Sequence, residues 1–576
     1  MGSITDISAL GPRYKWLVLV VTTSGSLMAM IDSSITLIAL PDTFRGIGLN
    51  PLEPGNSFYL LWMILGFMVV TAVLVTSLGR IGDIFGRVRI YNLGFAIFTF
   101  FSVLLSITWM HGEAAGLWLV ILRIFQGVGA AMIVANSGAI ITDTFPAGQR
   151  GFAMGINTAA AISGSFIGLV LGGVLAPIQW RLIYLIGVPI GLFCTIFGYL
   201  RMRELGSRRP ARIDWWGNLT FAAGLVLVMI GITYGIEPYK EHAMGWTSPW
   251  VLFCLIAGVA LLIVFGYIET HIEQPMFRLQ LFKIRAFSAG VLASFLASLA
   301  RGGLQFILII WLQGIWLPMH GYSFERTPLW AGIAMLPLTF GMLISGPVTG
   351  LLSDRFGARY FSTGGMIGTA ITFLLIELMP IDFSYWVFGL LMFFSGLTMA
   401  MFGTPNRTAV MNSLPAEHRG AGSGMQSTFQ NSASVLSIGV FFTLILIGFS
   451  HSLPDALYTG LTTHGVSPVD AERVANLPPV STLFSAFLGY NPIQEMVGNP
   501  VLSQLPSADH AALVGRQFFP TLISSSFQHG LRTAMNYGIV MSLIAAAASW
   551  SRGKHVSAAH TVEEVRAEFA DAIAEA

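Results

Sequence analysis

Charge is the scarcest commodity in this sequence. Only 10% of its 576 residues are Asp, Glu, Lys or Arg, where an ordinary soluble domain has about 25%. So few charges cannot coat a chain that is 54% hydrophobic with a mean hydropathy of +0.72. That excludes a soluble globular protein and leaves lipid as the solvent. Lysine is rarest of all. Lys15, Lys240, Lys283 and Lys554 are the whole set, and none sits in the G-x4-G-K-[ST] pattern that cradles nucleotide phosphates. A pump driven through such a loop is therefore not expected. H-E-x-x-H and G-x-S-x-G are also absent, so no membrane enzyme is indicated, and no metal or cofactor site. A net charge of +2 is too small to attract nucleic acid. The two cysteines, Cys194 and Cys254, lie inside apolar runs and read as buried free thiols. The opening stretch "MGSITDISALGPRYKW" lacks a basic n-region with a short apolar core, so the first apolar run is expected to be a retained span.

What the chain does have is long apolar runs. A span needs about 20 mainly apolar residues. Fourteen are expected, near 16–39, 58–78, 90–110, 117–139, 153–175, 181–200, 215–235, 249–268, 286–314, 329–352, 361–380, 384–404, 424–449 and 528–549. With both termini in the cytoplasm, 21 of the 30 Lys and Arg residues face that side and six face outwards. This is the asymmetry of the positive-inside rule, and losing one middle span would spoil it. A segment over 450–527 is then an external loop, with two short helical pieces in "SPVDAERVANLPP" and "PSADHAALVGRQFF". It reads as a structured cap or as a gate. The tail 550–576 reads as cytoplasmic, with a short amphipathic helix over "TVEEVRAEFADAIAEA" opened by the Thr561–Glu564 capping pair.

The chain repeats itself. "GRIGDIFGRVR" carries Gly79, Asp83, Gly86, Arg87 and Arg89. "GLLSDRFGARY" carries Gly350, Asp354, Arg355, Gly357 and Arg359, with Gly, Asp and Gly each 271 positions on. "PAGQRGFAMG" from Pro146 and "PAEHRGAGSG" from Pro415 match at an offset of 269. Both pairs fall in loops after the second and fourth spans of their halves. The expected organisation is an N-terminal six-helix bundle over 1–200, a linker with two inserted spans over 201–285, and a C-terminal six-helix bundle over 286–549. Parallel repeats of this kind are a mark of transporters in which two bundles rock about a central site.

Four stretches resemble the fourteen-span drug:proton antiporter family of the major facilitator superfamily. Gly79-x3-Asp83-x2-Gly86-Arg87-x-Arg89 is similar to the superfamily's loop motif. "LVILRIFQGVGAA" supplies Arg123, Gln126, Gly127 and Gly129 of the span-4 pattern. "MIDSSITLIALP" supplies Asp32 and Pro41 of the first-span pattern. Span 5 has the antiporter glycines Gly155, Gly164, Gly168, Gly172 and Gly173, with Leu169 where the family has Pro. The resemblance implies an all-α polytopic fold, the two bundles plus two inserted helices, and no cofactor beyond a coupling proton. It implies a hydrophobic or amphiphilic small-molecule substrate, membrane lipids as surroundings, and a monomer in a bacterial inner membrane.

It also implies roles. Asp83 would pair with Arg87 and meet a helix N-terminus of the other half as a cytoplasmic gate; the plainer reading is that these loops only set orientation. Asp354, Arg355 and Arg359 form the weaker second copy. An Asp at mid-span costs about 2.5–3.5 kcal/mol on an insertion scale, so Asp32 must be paired, hydrated or protonated. Arg123 is its expected partner, either as a proton relay or as a fixed pair bracing two helices. Arg301, 269 positions after Asp32, is expected to bind an anionic or zwitterionic headgroup or to serve as a structural partner. Gln126, Asn136, Gln305, Gln426 and Gln430 are cavity candidates, each weighed against helix-packing glue. The span-5 glycines are expected to allow close helix approach.

Proton-coupled multidrug export is the leading expectation. A lipid or lipid-like metabolite transporter and a non-transporting receptor on the same fold are the alternatives. The orientation is testable by reporter fusions. Phosphatase should be active when joined within 450–527 and inactive when joined within 201–214; activity at 201–214 would break the fourteen-span count.

Overall fold

A computed structural model describes residues 13–53, 55–205, 213–240, 242–415 and 418–553. The expected tail helix falls outside the described residues. Among the described residues, fourteen principal helices follow the apolar runs. They are α1 Tyr14–Ile38, α2 Asn56–Phe85, α3 Arg87–Ser106, α4 Gly112–Thr144, α5 Ala147–Leu175, α6 Leu182–Arg201, α7 Trp215–Gly235 and α8 Pro249–His271. The second group is α9 Arg285–Met319, α10 (Thr327–Ala334 continued by Leu336–Phe356), α11 Ala358–Glu377, α12 Tyr385–Asn412, α13 Arg419–Thr463 and α14 Phe518–Trp550. Thirteen among the described residues are long and apolar enough to cross a bilayer. The exception, α11, is a 20-residue helix diluted by Ser362, Thr363, Thr369 and Thr372. No strand occurs among the described residues, as expected where lipid offers no partner to an open sheet edge.

Helices α1 to α6 pack on one another, and so do α9 to α14; α7 and α8 form a hairpin lying against α2 and α13. The duplication seen in the sequence is also a duplication of local structure. Gly86 ends α2 at φ +116° and Gly357 ends α10 at φ +92°. Each lets one helix stop and the next begin at the following residue, in a region that a side chain disfavours. Arg150 caps the end of α4 by donating to Phe145 O at 3.0 Å, and Arg419 donates to Leu414 O after α12 at 3.2 Å.

The glycines of α5 explain its fit to α1. A Cβ on Gly164 would lie 2.6 Å from Leu27 O, and one on Gly168 2.6 Å from Ile31 O. Gly172 packs on Ile35 and Ile38, while Gly173 packs instead on the backbone at Pro328 and Leu329 of α10. Leu169 joins that contact, its carbonyl 2.9 Å from a Cβ built on Gly332. Gly155 departs from the expectation. It meets nothing within 4 Å, because it lies on the exposed face of α5, while Ala153 and Asn157 beside it face α1 and α4.

The segment after α13 is folded. The helix itself continues to Thr463, beyond the expected span end, and short helices follow at Pro468–Ala475, Pro479–Leu488 and Ser507–Val514. Every residue of Pro479–Leu488 is buried. It packs against α13, the 312–316 turn of α9, the outlying helix Leu40–Ile47 and α2. Phe484 stacks on Phe442 with centroids 5.1 Å apart. Gln313 Nε2 donates to Ile38 O at 3.2 Å, so both six-helix groups are joined here.

Replacing Gly168 by Val should lower thermal stability in detergent by about 1–3 kcal/mol, the usual cost of overpacking. Gly155→Ala should leave the melting temperature within a degree or so, being an open helical site where Ala is the better former. Equal melting of the two variants would refute the packing role of Gly168.

Candidate functional site

The best-formed polar centre lies inside the first six-helix group. Asp32 lies towards the Ile38 end of α1 and Arg123 in α4, and their side chains meet at 2.5 Å between Oδ2 and Nη1. Neither reaches water: Asp32 is 6% exposed and Arg123 1%. Gln126, one turn after Arg123, closes the pair into a network. It accepts from Arg123 Nη1 at 2.6 Å and donates to Asp32 Oδ1 at 3.0 Å and to Ser102 Oγ of α3 at 2.8 Å. Arg123 also donates to Met63 O of α2 at 3.3 Å and lies 4.4 Å over the Phe67 ring. The i, i+3 spacing of Arg123 and Gln126 sets both on one face of α4. Four helices thus converge on one ion pair. Removing either charge from such a buried pair typically costs about 3–5 kcal/mol, because the other is left uncompensated.

A second group of charges sits where α2, α3 and α4 end. Arg87 bridges Asp83 and Asp143, both at 2.7 Å. Asp143, in the last turn of α4, was not singled out from the sequence; its signal was an acid next to the "TFPAGQR" loop. The peptide N–H of Arg89 donates to Glu204 Oε1 at 2.9 Å, and the same carboxylate lies against Gly86. Gly79 faces Ala135 of α4. The expected meeting of Asp83 with a helix N-terminus of the other half is not made: among the described residues its partner is Arg87 alone. The two halves touch here through Thr76 and Thr428 instead. In the second copy, Arg355 lies over Phe356 and Arg359 over Trp550. The Asp354 side chain is outside the described residues.

The remaining candidates divide by partner. Asn136 is buried, bonded to Met132 O at 2.9 Å and set against Gly82, so it joins α4 to α2. Gln426 is buried and donates to Ser294 Oγ at 3.1 Å, joining α13 to α9. Gln126 belongs to the ion-pair network. These three are interior and line no accessible path in this conformation. Arg301, Gln305 and Gln430 are half-buried, and none of their side chains has a hydrogen-bond or ion-pair partner among the described residues. Arg407, on α12, is exposed and likewise unpaired. Arg301 and Gln305 are one turn apart on a shared face.

The seam between α5 and α10 is tightly packed towards one end. Gly173 lies against the Pro328–Leu329 backbone and Gly332 against Leu169 there, and Phe166 meets Phe340 farther along at 6.2 Å. Farther towards the end bearing Gly79–Arg89, Thr158, Ala159, Ile344, Val348 and Leu351 are exposed. At the opposite end the buried helix Pro479–Leu488 packs against both six-helix groups.

Comparison with known proteins agrees with this architecture. The chain is 30% identical over 472 residues to the methyl viologen resistance protein SmvA of Salmonella typhimurium, covering 81% of this chain and 90% of the relative. It is 27% identical to the riboflavin transporter RibZ of Clostridioides difficile, covering 74% and 88% respectively. A crystal structure of a bacterial homologue of the human lysosomal transporter Spinster, in an inward-facing unoccupied conformation, aligns with a TM-score of 0.55 at 16% identity over 96% of this chain and 99% of that one, which bears on the fold alone. The Major Facilitator Superfamily model matches residues 22–438: this multi-pass membrane protein, two six-helix bundles with an inserted pair, belongs to that superfamily of transporters.

Proposed function

We propose that the protein exports hydrophobic or amphiphilic small molecules in exchange for protons, by alternating access, across a bacterial inner membrane with both termini in the cytoplasm. It does so as a single copy and needs no cofactor beyond the coupling ion. The observation that carries the reading is the Asp32–Arg123–Gln126 network, an ionisable centre enclosed within the first six-helix bundle. A carboxylate held by a guanidinium stays ionised; one that loses that partner in a dry site takes up a proton. A shift of α1 against α4 within the first bundle, coupled to the rocking of the two bundles, would make and break the pair, and so convert a conformational change into proton uptake or release. SmvA's association with resistance, and the bacterial source of the relatives, support the direction and the membrane.

Arg301 supports a second reading. A half-buried guanidinium without a counter-ion attracts an anionic or zwitterionic headgroup. The α5–α10 seam, exposed at Thr158, Ala159, Ile344, Val348 and Leu351, would admit such a molecule from the side, as a lipid-like metabolite transporter without obligatory proton coupling requires.

Proteoliposomes with an imposed pH gradient separate the two. Gradient-driven movement of a hydrophobic dye that collapses with the gradient is expected for export; lipid movement indifferent to the gradient would replace that reading with the second. Asp32→Asn should abolish the pH-driven component. Because it leaves Arg123 unpaired, it should also cost stability, and Asp32→Asn combined with Arg123→Gln should recover the stability without the transport. Normal proton-coupled export by either variant would reject the relay. Arg301→Ala should weaken transport of anionic substrates about tenfold, the loss of one charge-assisted contact, and leave neutral ones unchanged.

A further inference from the structure

The inserted hairpin carries two carboxyl groups that the export reading does not use. Asp214 is the N-cap of α7, and Glu269 lies in the last turn of α8; they are 4% and 3% exposed. Three of their four oxygens have an N–H donor. Asp214 Oδ1 accepts from Gly217 N at 2.7 Å and Oδ2 from Met276 N at 3.4 Å, while Glu269 Oε2 accepts from Phe277 N at 2.7 Å. The fourth, Glu269 Oε1, is buried and has no donor among the described residues. It points at Asp214: a Cβ on Gly217 would sit against both Asp214 Oδ2 and Glu269 Oε1. Two carboxylates facing each other away from water cannot both stay ionised, and a shared proton is the usual solution. Here one hydrogen would also supply the single missing donor.

We propose that Asp214 and Glu269 form a proton-binding site, distinct from Asp32 and Arg123, that fastens the 273–277 turn to the gate-motif helix α2. The link to α2 is Arg80, whose guanidinium donates to Gln274 O at 3.1 Å, to Pro275 O and to Met276 O at 3.5 Å. Ser77 and Asn218 add a second bond between α2 and α7. The other charged or titratable groups around the site are Asp83 of α2, Glu273 and Arg278 of the turn, His271 at the end of α8, and His418 before α13, which bonds to Arg278 at 3.0 Å. Asp214 and Glu269 both lie within electrostatic reach of Arg80. Loss of the shared proton to solvent turns one negative charge into two beside that guanidinium. Arg80 then leaves the turn's carbonyls for the carboxylates, and the turn is freed from α2. The hairpin thereby sets the stiffness of the motif loop according to pH.

The test needs no transport assay, so its failure is separate from failure of the export reading. Infrared difference spectra of the purified full-length protein, titrated from about pH 6 to 9, should show the carbonyl stretch of a buried carboxylic acid that disappears as pH rises. Glu269→Gln should remove that band. Asp214→Asn, which takes away the like charge, should move its loss to lower pH. Hydrogen exchange at the Met276 and Phe277 amides, corrected for intrinsic rate, should quicken about tenfold across the same range in the parent and stay flat in Glu269→Gln. A band that survives Glu269→Gln, or amide protection that falls equally in both proteins, overturns the proposal. If Glu269→Gln fails to fold, the shift in Asp214→Asn decides it.

Discussion

Hydrocarbon offers neither counter-ions nor hydrogen bonds, so each polar group placed in it must find its partner within the chain. The Asp32–Arg123 pair is where this constraint presses hardest. A lone aspartate at that depth is unfavourable by several kcal/mol. Paired with a guanidinium and boxed in by Gln126, Ser102 and the Met63 carbonyl, it becomes a joint on which α1, α2, α3 and α4 agree. The glycines at 164 and 168 are the other half of that arrangement. By letting α5 lie backbone to backbone against α1, they hold the aspartate-bearing helix against its ion partner.

The same constraint separates residues that hold the structure from residues left available. Asn136 and Gln426 spend their donors on neighbouring helices. Arg301 and Arg407 do not, among the described residues. The second bundle thus carries arginines without a protein partner among the described residues, while the first encloses its acid in an ion pair, an electrostatic asymmetry between two repeated units.

Much of this was legible in the sequence. Apolar run length gave the helices, because a bilayer imposes one number on all of them. The two repeated loops gave the duplication, and the structure repeats them as positive-φ glycines and as arginine caps five residues after the carbonyl they bind. The Asp32–Arg123 pairing followed from the need of an intramembrane aspartate for a partner, together with the family resemblance of the first and fourth spans. What sequence could not give was rotation of each helix about its axis. Nothing local distinguishes Gln426, turned inward to Ser294, from Gln430 one turn later. Gly155 shares the spacing of its neighbours but is turned to the exposed face of α5. Asp214 and Glu269 are 55 positions apart, at opposite ends of a hairpin, and only its closure brings them together.

The buried helix Pro479–Leu488 has a consequence for inhibition. It is tied by chain to α13 and α14, yet it rests on Leu40–Ile47, which belongs to α1's end of the molecule. Any tilt that parts the bundles on that face must slide one short helix off the other. A compound or antibody fragment that staples these two together would stall the cycle from the face remote from the charged loops, with no need to compete for the substrate's own berth.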